Sequence, residues 1–203
     1  MAAASVLTCA GQAAAAVLYD SGTPTELGDS LSHGQWLAAM LQFGSAATIT
    51  DVEGFFDTNH AGDVEIALLS SSGGLPASTL FSSTVAVPGG VNDWAGVHGL
   101  NWSIAAGNYW FAFEVQPAST YIGGLGDKAP NPVTHYAFKD VADSLDWQAE
   151  APKGYGVRVS GTGGDPVTFG APGGVPEPAT WALLLTGFGG LGAMLRRRRL
   201  APY

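Results

Sequence analysis

Four carboxylate or amide side chains share the segment "DTNHAGDVE": Asp57, Asn59, Asp63 and Glu65. Calcium takes carboxylate and amide oxygens of this kind. The spacing fails as an EF-hand loop, because Ala61 and Leu68 stand where that loop requires ligands. We therefore expect an Asx-type turn between two strands, with its carboxylates solvated, rather than a metal site. A second acidic run, "KDVADSLDWQAE", predicts a solvated loop with Asp140, Asp143, Asp146 and Glu150.

The histidines offer no metal or catalytic pattern. They are His33, His60, His98 and His135, and no two lie four residues apart. The H-E-x-x-H motif, the nucleophile elbow, the P-loop and the dinucleotide fingerprint are also missing from the sequence. Catalytic triads assemble in space, so a nucleophile is not excluded, but no motif favours one. We predict a non-enzymatic protein without a cofactor or metal.

Two tryptophans are candidate contacts for a glycan. "VNDWAG" and "SLDWQAE" place Trp94 and Trp147 beside Asp93 and Asp146, in predicted loops. An aromatic ring beside hydrogen-bonding groups suits a sugar, although most tryptophans are buried in the core. A glycan-binding module is one alternative function. A polysaccharide hydrolase is another, and it needs two carboxyl groups about 5–9.5 Å apart.

Short apolar runs with a period of two dominate residues 17–162 and predict strands. Val64, Ile66 and Leu68 alternate on one face, and Tyr109, Phe111, Phe113 and Val115 do so later, as do Tyr155, Val157 and Val159. Only "HGQWLAAMLQF" also fits a helical period, and we assign it as a strand. A phase slip at Glu53-Gly54 predicts a bulge. Some nine strands without a long helix predict a single antiparallel β-sandwich.

The N-terminus resembles an export signal. Residues 1–16 are apolar and end in small residues, with Ala14-Ala15-Ala16 as the expected cleavage site, but no Lys or Arg precedes them. A start codon assigned too far downstream explains that departure. A lipoprotein acylated at Cys9 is the alternative. Cys9 is the only cysteine, so cleavage after Ala16 leaves none for a disulfide.

Charge is distributed unevenly along the chain. Four basic residues stand against seventeen acidic ones before Arg196, a net charge of −13 that disfavours nucleic acid as a partner. A Gly/Pro-rich stalk is predicted over residues 163–175. The seventeen uncharged residues from Ala179 to Leu195 would span about 26 Å as a helix, near the lower limit for one membrane crossing. By the positive-inside rule the arginines after it stay in the cytoplasm.

The C-terminal segment "VPEPATW", the apolar Gly-rich span and the arginine cluster together resemble the PEP-CTERM sorting signal of Gram-negative bacteria. The sorting motif is Pro176, Glu177 and Pro178, within a signal over residues 176–203. The membrane anchor comprises Trp181, Leu183, Leu184, Leu185, Phe188, Leu191, Met194 and Leu195, followed by Arg196, Arg197, Arg198 and Arg199. In that family an exosortase, an integral-membrane enzyme, recognises the tripeptide and processes the protein for the cell surface.

Two segments, "AAGNYWFAFEV" and "GVRVSGT", also loosely resemble the late strands of jelly-roll domains found upstream of such signals. The resemblances imply a non-catalytic surface or extracellular-matrix protein associated with exopolysaccharide. Its precursor would be held transiently in the inner membrane, with exosortase as its processing partner.

Overall fold

The computed structural model describes residues 15–141, 146–151 and 153–164. These residues fall within the first of two units into which the chain divides, Met1–Phe169 and Gly170–Tyr203. Thirteen strands are found in the described part: β1 Ala16–Asp20, β2 Glu26–Leu31, β3 Gln35–Phe43, β4 Ala47–His60, β5 Gly62–Ser72, β6 Leu75–Val87, β7 Asn92–Val97, β8 Trp102–Ile104, β9 Gly107–Glu114, β10 Ile122–Asp127, β11 Tyr136–Asp140, β12 Gln148–Glu150 and β13 Val157–Gly163.

The strands form two antiparallel sheets. The seven-stranded sheet has the order β1-β13-β4-β10-β2, and β7 and β8 also pair with the long strand β4. The six-stranded sheet has the order β12-β11-β3-β9-β5-β6. Since no α-helix occurs in residues 15–141, 146–151 and 153–164, the predicted antiparallel all-β fold is confirmed at this level. The ambiguous segment at Gln35–Phe43 is a strand, as predicted.

One apolar core lies between the two sheets. Alternate residues of both sheets enter it, among them every member of the three predicted alternating sets, with Tyr109 packed at its edge. Phe56 of β4 meets Phe113 of β9 edge-on, with 5.9 Å between ring centroids. Gly54 allows this approach, because a Cβ there would lie 2.7 Å from the Phe113 ring. Close packing across the sheets therefore depends on a missing side chain as well as on large ones.

Two details of the sequence prediction were wrong. The irregularities in β4 lie at Thr50, in its pairing with β13, and at Asn59, in its pairing with β10, whereas the pairing at Glu53-Gly54 is regular. The segment "DTNHAGDVE" is not an Asx-type turn. β4 continues to His60 and β5 starts at Gly62, so the chain changes sheet across one residue.

No helix of the described residues is long and apolar enough to cross a membrane. Most of the predicted signal segment, the stalk beyond Gly164, the sorting motif and the whole predicted anchor lie outside the described residues.

Candidate functional site

The candidate calcium ligands do not come together. Phe56 of β4 faces the core, so Asp57 points to the outer side of the seven-stranded sheet. Val64 and Ile66 of β5 face the core, so Glu65 points to the outer side of the other sheet. The Glu65 carboxylate instead accepts a hydrogen bond of 2.7 Å from the Gln116 amide. Among the described residues, no three His, Cys, Asp or Glu side chains are grouped so that they could hold a metal ion.

The second acidic run is partly strand rather than loop. Asp140 ends β11 and Glu150 ends β12, while Asp143 lies outside the described residues. Glu150 belongs to a polar cluster that joins the edge strands of the two sheets, β2 and β12. The Tyr155 hydroxyl lies 3.1 Å from Asp29 Oδ2 and 2.5 Å from Glu150 Oε2. Lys153 Nζ lies 2.9 Å from Asp29 Oδ2 and 3.5 Å from Glu150 Oε1.

This cluster connects β2, at the edge of one sheet, with β12, at the edge of the other. Burial, with the nearby Glu150 carboxylate, raises the pKa of Tyr155, so the phenol keeps its proton and remains a donor. The hydrogen bond to Asp29 raises the pKa of Lys153 and keeps its ammonium charged between the two carboxylates. The arrangement is structural, because each polar group already has a partner of complementary character.

Trp94 lies in strand β7, not in the predicted loop. Its indole packs edge-on against the Phe55 ring, with 5.4 Å between the ring centroids. The Arg158 guanidinium stands 4.2 Å from the centre of the indole ring. Arg158 in turn pairs with Asp20 at 3.1 Å and with Glu53 at 3.3 Å. A guanidinium held by two carboxylates therefore occupies one ring face that a sugar would need.

Trp147 precedes β12, in a non-strand position as predicted. The centroid of its ring lies 6.5 Å from the centroid of the Trp36 ring, and the two ring planes are inclined by 47°. It is half-buried and packs against a second apolar cluster, separate from the core. The second cluster lies on the outer side of the six-stranded sheet and comprises Ala38, Met40, Ala67, Leu69, Trp110, Ala112 and Ala137.

The register of the strands aligns the small members of this cluster. Ala67 pairs with Ala112, Ala112 with Ala38, and Ala38 with Ala137. We call this the alanine lane; it crosses β5, β9, β3 and β11 at right angles. Adjacent strands are about 4.8 Å apart, so the lane is about 14 Å long.

One side of the lane is bordered by larger polar and aromatic residues. Glu65 pairs with Glu114, and Lys139 pairs with Trp36. Trp36 precedes Leu37, which pairs with Phe113, so Trp36 is level with Glu114. We call this set the aromatic–acidic row: Glu65, Glu114, Trp36, Lys139 and Trp147. The Lys139 ammonium stands 4.8 Å from the centre of the Trp36 ring.

Glu114 is the most unusual member of the row. It is 8% exposed, and no donor among the described residues hydrogen-bonds to its carboxylate. Burial and the neighbouring Glu65 carboxylate raise the pKa of Glu114 to about 7, while the Lys139 ammonium acts in the opposite direction. At neutral pH this carboxyl group is therefore partly protonated, and it has unused capacity to accept or donate a hydrogen bond.

The sequence did not lead to Trp36, Glu114 or the alanine lane. A signal was present in the outward-facing positions of three strands, which read W-A-M in β3, E-A-L in β5 and W-A-E in β9. Each has an alanine between large or charged residues, but their alignment depends on the register.

A comparison with protein families finds the PEP-CTERM protein-sorting motif at residues 174–199. This confirms the resemblance, and the chain carries a sorting signal of the kind that exosortase recognises on exported proteins. The match includes the Pro-Glu-Pro tripeptide, the apolar run and the arginine cluster. No curated protein matches the chain.

Proposed function

We propose that this chain is the precursor of a non-catalytic protein of the cell surface or extracellular matrix. The observation that carries the proposal is the sorting motif at residues 174–199, placed after an all-β domain. Exosortase would act at or near Pro176-Glu177-Pro178. The apolar run from Ala179 to Leu195 would hold the precursor in the inner membrane until then.

The finer features of the domain belong to the same proposal. We infer a jelly-roll-like β-sandwich spanning residues 17–162, supported by the shared core between two antiparallel sheets. The predicted signal segment over residues 1–16 would direct export. The stalk over residues 163–175 would give the domain reach from the membrane.

We also propose that the exported domain associates with exopolysaccharide. The acidic body, with its net charge of −13 before Arg196, supports an uncharged rather than a polyanionic matrix as its surroundings.

The sorting claim is tested by replacing Pro176, Glu177 and Pro178 with alanine in the native host. We expect the variant to remain in the membrane fraction at precursor mass, because the processing enzyme no longer recognises it. A matched control replaces Pro166, which lies in the predicted stalk and outside the family match. Unchanged release of the Pro-Glu-Pro variant to the surface fraction would remove the proposal.

A further inference from the structure

The aromatic–acidic row is the part of the described surface that combines rings with unused hydrogen-bonding capacity. Trp36, Lys139, Trp147 and Glu65 are each half-buried, so each keeps part of its side chain accessible. The rings of Trp36 and Trp147 are inclined to each other by 47°, which forms an open V rather than a closed stack. Apolar CH faces pack against such rings, and polar rims remain outside them.

Glu114 provides a second and independent observation. The Glu114 carboxyl group is 8% exposed and has no hydrogen-bond donor among the described residues, so its burial costs free energy that the Lys139 ammonium offsets only in part. Glu65 stands directly opposite it on β5, and Gln116 holds Glu65 in place. Ligand hydroxyl groups at this position would satisfy both carboxyl groups at once.

The row and the alanine lane run in the same direction across the strands. The lane itself is closed, because its four alanines are at most 1% exposed, whereas the row keeps accessible surface over about 14 Å across the strands. An elongated ligand lying across the strands would therefore place its apolar faces on the two indoles. Its hydroxyl groups would then reach Glu65 and Glu114.

Charge decides between the possible elongated ligands. Nucleic acids and acidic polysaccharides would be repelled by the paired carboxylates and by the acidic body of the chain. A purely apolar partner would leave Glu114 without a hydrogen bond. A hydroxyl-rich, uncharged chain meets both conditions.

We propose that the aromatic–acidic row binds an uncharged polysaccharide chain, with Trp36 and Trp147 stacking on sugar rings and Glu65 and Glu114 accepting hydrogen bonds from sugar hydroxyl groups. The proposal rests on the proposed export, since the ligand is outside the cell. It differs from the sequence-based candidate pair in replacing Trp94 with Trp36. It also assigns roles to two glutamates that the sequence did not single out for sugar binding.

The test uses protein purified from the host's surface fraction. Its migration is measured in native gels that contain the neutral fraction of the host's own extracellular polysaccharide, and in gels that contain the acidic fraction. We expect retardation by the neutral fraction alone. Trp36→Ala or Trp147→Ala should each raise the dissociation constant obtained from the retardation about tenfold, because one aromatic contact is lost.

Matched variants separate binding from folding. Trp36→Phe and Trp147→Phe should each restore most of the retardation, because a smaller ring still stacks. Leu27→Ala removes an exposed apolar side chain from the other sheet and should change nothing. Each variant is first shown to melt cooperatively at a temperature close to that of the parent.

Several results would overturn the assignment. The first is that the neutral fraction does not retard the protein. The second is that Trp36→Ala and Trp147→Ala are retarded as fully as the parent. The third is that only Trp94→Ala loses retardation. Release of new reducing ends from the polysaccharide would also overturn it, because the glutamate pair would then belong to a hydrolase site. The outcome is independent of sorting, since correctly processed protein that fails to bind contradicts this inference alone.

Discussion

The outer faces of the two sheets are built in opposite ways. On the seven-stranded sheet, charged side chains alternate outward and pair with one another, as in the contacts of Arg158 with Asp20 and Glu53. His98 and Asp51 form a further pair on that sheet at 3.1 Å. On the six-stranded sheet, the outward positions carry alanines, large apolar side chains and the carboxyl of Glu114, which has no hydrogen-bond donor in the described part of the chain.

An antiparallel sheet that faces water needs one apolar face. The seven-stranded sheet meets that expectation, so its outer face requires no further partner. The six-stranded sheet has a second apolar cluster on its outer side, and the members of that cluster are themselves buried. The accessible part of this face is the half-buried aromatic–acidic row beside the cluster. A cation stands over one face of Trp36 as over one face of Trp94, but only the row combines two half-buried indoles with two neighbouring carboxyl groups among the described residues.

A charge buried in the alanine lane should cause the largest loss of stability. Ala38→Asp places a carboxylate in the alanine lane, between Ala112 and Ala137, where the parent side chain is fully buried. We expect a loss of more than about 3 kcal/mol in the free energy of unfolding, measured by denaturant titration. Thr162→Asp is the matched control on the half-exposed outer side of β13, and it should cost less than about 1 kcal/mol. Equal losses would mean that the two outer faces do not differ.

Removing the ionisable group of Glu114 should change how the stability of the protein depends on pH. The folded protein holds this proton up to a pKa of about 7, whereas the unfolded chain releases it near 4.5. Stability from this group is therefore complete below about pH 4.5 and is lost as pH rises through 7, by at most about 3 kcal/mol. Glu114→Gln should stabilise the protein at pH 8 and hardly at pH 4, measured by thermal melts. A constant difference across that range would contradict the assigned pKa.

The smallest loss of stability is expected from a substitution on the outer face of the seven-stranded sheet. Arg158→Ala removes two half-exposed ion pairs and the contact with the Trp94 ring, and we expect a loss of about 1 kcal/mol in stability. Arg158→Lys should recover part of it, because one ammonium cannot reproduce the planar contacts. The loss should shrink in 1 M salt, as screening weakens exposed pairs. A loss as large as that of Ala38→Asp would show that this face also carries essential structure.

Local patterns predicted the strands whose alternation is strong. Val64, Ile66 and Leu68, and likewise Phe111, Phe113 and Val115, all face the core as expected. Short strands such as β2 "ELGDSL" and β12 "QAE" carry too few apolar residues for a periodic signal, so the number of strands was underestimated. The sequence predicted a break between two strands near Ala61, but the turn residues Asn59 and Gly62 lie within β4 and β5 and did not indicate a change of sheet.

The candidate site was less predictable for a physical reason. Trp147 was singled out from its sequence neighbours, but its partner Trp36 lies 111 positions earlier in the chain. The pairing of Glu65 with Glu114 also depends on the register of strands that are distant in sequence. The spacing of residues in the sequence does not show which distant residues become neighbours in a sheet.

The most direct test of the proposed function is the intact mass of the mature protein from the native host's surface fraction. We expect a chain that starts near Val17 and ends near Pro176-Glu177-Pro178, with any excess mass reporting an attached group. A mass that still includes Arg196 to Arg199 would contradict it, because the apolar segment would then be a permanent anchor rather than part of a processed sorting signal.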